Sequence, residues 1–430
     1  MEIINIIFLI LICVVFSSIS FPLGLFKFTN NLGYTDKLIF NIIIQVNIIL
    51  LLSFFNISLR YILIGYFLYL TVCIFFHFKN FNKIKLINYS SLIYYLFLFI
   101  ICFLICLDIS YSLTLDWDSQ KFWIPKTLNF YNNGAIATLA NAPQPEYPYL
   151  GSLLWATLWK ISFIPEEYTG RLIYVFLYCL SLASLTEMLK LSTTYKMIFF
   201  IILVLLTYDY IYFSGSQDIL VFCLISFGIK TLHDIINNDK ISYYEVILLL
   251  LICNSLIWTK QEGVVYAFIF AFSLIIFKNK FFYERVFFLC LVILLFSVRI
   301  FIYNFYDFAI HINNCCWTDL SPGALIEKLS YERTIVVLKF FIFSFLKNSL
   351  FLLGLVFFIT SFLSKRSFKK DLYIYFFCMT CFCFIFSAYI FTDEDLVWML
   401  KTGLDRLIFA VSPAYVLIII RYINMQNLKI

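Results

Sequence analysis

Long apolar runs, many near the length of a membrane-crossing helix, recur from one end of this chain to the other between short polar breaks. A hydrocarbon layer ~30 Å thick takes about 20 helical residues, and no backbone polar group can stay unpaired inside it. The pattern predicts spans near residues 4–20, 38–55, 61–78, 89–109, 170–187, 196–212, 217–231, 244–258, 262–277, 284–303, 347–363, 371–391 and 406–423. One further apolar stretch, 334–345, is too short to cross and is expected to lie in the interface. The expected fold is an all-α membrane protein, a polytopic helical bundle of about 11–13 transmembrane helices with a structured first large external loop.

Composition agrees with this class: 63% of residues are hydrophobic, 13% are charged and the mean hydropathy is +0.95. The first run follows the acidic Glu2, with no basic n-region and no small-residue cleavage site, and reads as a retained span. Of the 13 cysteines, most sit inside apolar segments, as Cys102, Cys106, Cys223 and Cys253 do, where the thiol acts as a small hydrophobe. Cys315 and Cys316 with His311 give three close ligands without a fourth and read as ordinary loop residues. Neither a metal nor another cofactor is expected.

Basic residues orient the spans. Lys79, Lys83 and Lys85, then Lys190 and Lys196, then Lys278, Lys280 and Arg285, then Lys365, Arg366, Lys369 and Lys370 fall on one side, which the positive-inside rule makes cytoplasmic. The opposite side then holds the long loops 110–169 and 304–346 and the turns near 209–216, 258–262 and 392–405. All 7 tryptophans (Trp117, Trp123, Trp155, Trp159, Trp258, Trp317, Trp398) fall on that external side, whereas an aromatic belt populates both interfaces. Pro125, Pro143, Pro145, Pro148 and Pro165 stiffen loop 110–169, which is expected to form interface helices near 118–131 and 148–160.

Candidate chemistry gathers on the same side. Asp116 and Asp118 flank Trp117 just past the fourth span. A helix cap at Ser119 would account for one carboxylate but not for the pair. A partly desolvated carboxylate at a membrane surface can serve as a general base. Asp218 opens a span, as a cap or as a site residue. Lys260 and Glu262 lie in an external turn, as a solvated hairpin tip or as a contact to phosphate or sugar. Asp393, Glu394 and Asp395 read as a solvated acidic run before Trp398. Lys401, Asp405 and Arg406 precede or open the last span, where an arginine can snorkel or clamp a phosphate. Arg299, a turn from the outer end of its span, reads as snorkelling. No phosphate-binding glycine loop, zinc-protease motif or serine elbow is present. The net charge of +6 is explained by the cytoplasmic lysines, so no nucleic-acid partner is expected.

At these residues the chain resembles the GT-C superfamily of integral membrane glycosyltransferases, in particular the bacterial family-39-like, dolichyl-phosphate-mannose-transferase type. The similarity lies in Trp117-Asp118 with Trp123, Lys126 and Asn133-Gly134; in Pro145-Glu146-Tyr147-Pro148-Tyr149-Leu150; in Thr259-Lys260-Gln261-Glu262-Gly263; and in Asp395-Leu396-Val397-Trp398 with Asp405-Arg406 and Pro413. Ser216-Gln217-Asp218 is a weaker match. Together these cover roughly residues 110–415, so 89–430 would be the GT-C-like core and 1–88, three spans with no counterpart in the pattern, an accessory module.

The resemblance implies transfer of a sugar from a polyprenyl-phosphate-linked donor to a lipid, glycan or protein acceptor, with inversion. Asp118, with Asp116, would be the catalytic carboxylate that deprotonates the acceptor. Lys260, Arg406 and Lys401 would hold the donor phosphate. Trp123, Tyr147, Trp155, Asp218, Glu262 and Trp398 would contact substrate. Some relatives pair a divalent metal with an acidic pair, which Asp116-x-Asp118 leaves open. The setting would be a bacterial inner membrane, with membrane lipids as partners and the site facing the periplasm or exterior. Two other classes compete. An O-antigen-type polymerase or ligase would lean on external arginines, of which loop 304–346 offers Arg333 alone. A transporter or lipid flippase would place ionisable groups at mid-bilayer and repeat its halves.

Overall fold

The computed structural model describes residues 1–18, 33–79, 89–238, 242–278, 282–308, 322–363 and 368–427, and within them every regular element is helical. Four helices come first: α1 (Glu2–Ser18), α2 (Tyr34–Ser53), α3 (Leu59–Lys79) and α4 (Tyr89–Tyr111). A π-turn at Ser119–Trp123 then leads into α5 (Ile124–Tyr131), a 3-10 turn at Ile136–Asn141 and α6 (Leu150–Ile161). The middle of the chain forms α7 (Tyr168–Glu187), α8 (Thr193–Thr207), the short α9 (Tyr210–Phe213), α10 (Asp218–Asn237), α11 (Tyr243–Ile257), α12 (Gln261–Phe277) and α13 (Phe282–Phe305). The last part forms α14 (Pro322–Lys328), α15 (Tyr331–Lys347), α16 (Ser349–Leu363), α17 (Phe368–Phe391), α18 (Leu396–Val411) and α19 (Pro413–Asn427).

Among the described residues seven helical runs are long and apolar enough to cross a membrane, eight if the bent pair α15–α16 counts as one span. Five shorter apolar helices, α1, α3, α8, α11 and α12, supply the remaining expected segments. At the centre stand α7, whose apolar window is wholly buried, and α10, at 83%. The window of α13 is 28% buried, with Phe287, Leu294 and Phe301 turned outward as a lipid-facing helix requires.

Contacts between helix ends define two ends of the bundle. At one end Asn5 donates to Ser162 (3.1 Å), Ala137 N–H donates to Asn56 (3.1 Å), Tyr306 donates to the Phe54 carbonyl (2.7 Å) and Leu150 N–H donates to the Trp258 carbonyl (3.0 Å). At the other, Lys230 of α10 pairs with Asp36 of α2, and Lys190 N–H donates to Asn424 (2.8 Å). Loop 110–169 belongs to the first end. The Lys190 loop belongs to the second, in line with the expected alternation.

Three expectations change. The last span begins at Leu396, not near 406, because Asp395 caps it by accepting from Trp398 N–H (2.7 Å). Most of the expected turn 392–405 is therefore helix. The stretch 334–345 lengthens to α15, Tyr331–Lys347, which meets α16 at 92°. The helix expected near 148–160 forms as α6, but Leu150–Trp159 are buried in the bundle rather than laid on an interface. His311, Cys315, Cys316 and Trp317 lie outside the described residues.

Candidate active site

Loop 110–169 reaches the head of α10 through one close approach. Asp116 N–H donates to the Ser214 carbonyl (3.0 Å), and Gly215 beside it has φ +92°. A Cβ at Gly215 would stand 2.6 Å from the Trp155 ring and 2.9 Å from the Ser119 Cβ. Glycine supplies both the left-handed backbone and the missing atom, so the Asp116–Ser119 segment can lie against the α9–α10 turn.

Asp118 occupies the cap position of the π-turn yet makes no capping bond. Its Oδ2 lies 2.6 Å from Arg406 Nη1, and Asp116 Oδ2 lies 3.0 Å from the same nitrogen. Arg406 Nε is 3.9 Å from Asp218. Asp218 takes Lys260 at 2.8 Å, and Lys260 is 3.5 Å from Glu262. Residues from four separated segments thus form one cluster. Four carboxylates (Asp116, Asp118, Asp218, Glu262) face two cations (Lys260, Arg406), a formal excess of two negative charges.

The cluster is graded in depth. Asp218 is buried (side chain 2% exposed), whereas Asp116 and Asp118 are each 26% exposed. Ser216 Oγ donates to Asp218 Oδ2 (2.7 Å), which satisfies the buried carboxylate further. Burial works against the charge on Lys260, but Asp218 and Glu262 outweigh it and hold its pKa above the ordinary lysine value. The helices that end here are short. Fifteen residues of α11 rise ~22 Å, less than a ~30 Å hydrocarbon layer.

A second set of buried polar groups holds that turn. Arg299 does not snorkel. It is 4% exposed, donates to the Ile257 carbonyl (2.8 Å) and to Gln261 Oε1 (2.6 Å), and lies over the Tyr303 ring. Gln261 in turn donates to the Glu146 carbonyl (3.2 Å). Lys126 Nζ donates to the Gln144 and Tyr147 carbonyls at 2.6 and 2.7 Å and so shapes the Pro-rich turn. Its burial pushes its pKa down to about 7 against the pull of Glu146. Neither Arg299 nor Lys126 was among the candidate site residues. A charged side chain near a span end or in a proline-rich loop was the available signal, and its backbone partners cannot be read from sequence.

The aromatic expectations divide. Trp155 is fully buried, with its indole N–H donating to the Glu167 carbonyl (3.3 Å) and its ring against Tyr174. Trp123 is 4% exposed. Both rings fill the interior and offer no open face, against the expectation that they contact substrate. Tyr147 is half-buried against Phe122 and Trp123. Trp398 is 49% exposed and meets Trp117, 52% exposed, edge to face at 6.2 Å. Lys121 lies over the Trp117 ring (4.7 Å). Trp117 is thus an open aromatic surface beside the two aspartates that its position between them already marked. Lys401 is exposed and, five residues before Arg406, projects from a different face of α18, away from the cluster.

Among the described residues no three or more His, Cys, Asp or Glu side chains are grouped so as to hold a metal ion. No family model, curated protein or solved structure matches the chain. The cluster therefore rests on its own chemistry. It is a set of ionised groups at one end of a membrane bundle, half sunk among helices and half open, with an aromatic lip.

Proposed function

We propose that the chain is a membrane glycosyltransferase of GT-C type, moving a sugar from a polyprenyl-phosphate donor to a hydroxyl acceptor at the external membrane face. The observation that carries this reading is the convergence of Asp116, Asp118, Asp218, Lys260, Glu262 and Arg406 at one end of the bundle. Such a reaction needs a base for the acceptor and cations where phosphate charge develops. The cluster offers both at one end of the bundle.

Because both cations are already engaged, the mechanism begins with an exchange. The donor phosphate takes the Arg406 guanidinium, whose planar fork suits it. Asp118 is released from the guanidinium and faces the acceptor. It then accepts the acceptor's hydroxyl proton as the oxygen attacks the anomeric carbon. The bond to the lipid phosphate breaks, its electron pair leaves on the phosphate oxygen, and configuration inverts. Donor binding thereby readies the base, which keeps the carboxylate quiescent while no donor is present. Asp218 keeps Lys260 in place beside the leaving group.

The charges gather at helix ends, with Asp218 opening α10 and Lys260 between α11 and α12, which favours transfer at a surface over passage through mid-bilayer. The test is mass spectrometry of lipid-linked and surface glycans from cells with the protein, without it, and with Asp118→Asn in its place. A glycan lost on deletion and not restored by Asp118→Asn supports the reading. Identical glycan profiles in all three contradict it.

A further inference from the structure

A second polar cavity, of about 210 Å³, opens beside α18 on a face next to that of Arg406. Its walls are the α8–α9 corner, the α15–α16 bend and the Asp405–Phe409 part of α18. The bend creates it. Where the chain turns by 92°, polar groups at the two helix ends face a hollow. Asn348 occupies the break and accepts from Leu350 N–H (3.1 Å). Asp405 accepts from Ser344 and from Lys347 (2.8 Å). Asp209 caps α9 by accepting from Ile211 N–H (3.0 Å) and also lines the cavity. Tyr212 lies flat on Phe409, with centroids 3.8 Å apart and planes at 6°.

The lining selects a ligand class. Two carboxylates, Asp209 and Asp405, against one ammonium, Lys347, leave one net negative charge, which disfavours an anion. Carboxylates accept from hydroxyls, the ammonium and the amide donate to them, and the tyrosine offers an aromatic face. This is the chemistry of a neutral polyhydroxylated ring. The volume lies below the ~300–1,000 Å³ of pockets for drug-sized ligands, so it has room for about one ring. Asp405, which lines the cavity, is next in the chain to Arg406 of the cluster.

We infer that this cavity binds a single neutral sugar residue, the terminal unit of the acceptor. Its use as an acceptor subsite rests on the transferase reading, whereas its capacity to bind sugar does not. Saturation-transfer NMR on the full chain in nanodiscs, with a panel of methyl glycosides of common hexoses and pentoses, tests it. At least one glycoside should give a signal. Asp405→Asn should weaken its binding about tenfold, the loss expected for a hydrogen bond to a charged group. Ser349→Trp, which fills the mouth from an exposed position, should abolish it with the melting temperature unchanged. A panel that gives no signal overturns the inference. So does a signal that survives Ser349→Trp, or farnesyl phosphate occupying the cavity in place of every glycoside. If binding follows the expected pattern while no sugar transfer is found in cells, the cavity stands and the transferase reading falls.

Discussion

Helix α10 carries charged groups toward both of its ends, and the two ends are built on different plans. At the Lys230 end, ion pairs join neighbouring helices: Lys230 with Asp36 of α2, and Arg421 of α19 with Asp371 of α17 at 2.9 Å. His233 adds a bond to Tyr373. These contacts tie helix to helix. At the Asp218 end, two cations serve four carboxylates, and two of those carboxylates sit on a loop segment partly open to solvent. Burying charge is costly at either end, and pairing only recovers that cost. A strut needs one partner for each charge. A surplus of charge left at an open edge serves a substrate better than it serves the fold.

Four perturbations set the two ends against each other. The largest expected effect is Asp118→Asn, which should lower transfer by about 10²–10⁴-fold, the usual contribution of a general base, with the melting temperature nearly unchanged. Asp371→Asn should do the reverse, lowering the melting temperature while transfer per folded molecule stays at the wild-type level. Equal activity loss in both variants would erase the distinction. Arg406→Met comes next. Removing one partner of a buried ion pair costs about 3–5 kcal/mol, and here two carboxylates lose their shared cation, so denaturant unfolding should register a loss of that order. Arg406→Lys should recover most of that stability but little transfer, because a point charge does not replace the fork.

Smaller effects sharpen the picture. Gly215→Ala strains a left-handed residue and forces Trp155 and Ser119 apart, so a loss of about 1–3 kcal/mol is expected, with transfer falling as Asp116 and Asp118 shift. The smallest is a pH effect at Lys126. Burial lowers its pKa from the ordinary 10.5 to about 7, so between those values the unfolded chain binds a proton that the folded chain does not. Wild-type stability should therefore rise with pH from 7 to 10 relative to Lys126→Met, and the advantage should be lost as pH falls back toward 7. A parallel pair of melting curves across that range would show that Lys126 stays charged in the fold.

The sequence showed its helices well and its tertiary site poorly, for separable reasons. Apolar length alone located the segments that became helices, since a membrane leaves the backbone no other choice. It placed the start of α18 ten residues late, because Asp393, Glu394 and Asp395 read as loop when Asp395 is the cap. It separated the stretch 334–345 from the span after it, but the 92° angle between α15 and α16 at Asn348 has no proline to announce it. The Asp116–Asp118 pair stood out because two carboxylates exceed what a helix cap uses. The junction of that pair with Arg406, almost three hundred positions on, has no local signature. Tryptophan identity misled at Trp155 and Trp123, because a bias to one side does not distinguish a ring that faces substrate from one that fills the core. Arg299 misled for a related reason, as its acceptors are the Ile257 carbonyl and Gln261 of another helix pair.

The most direct test of the account is donor consumption in a defined system. Purified protein in proteoliposomes, incubated with total lipid extract from cells that express it, would be followed by mass spectrometry for the conversion of polyprenyl-phosphate sugar to polyprenyl phosphate. The account predicts that wild type converts one such donor and that Asp118→Asn leaves it untouched. Unchanged donor with wild-type protein, or equal conversion by both proteins, would contradict it.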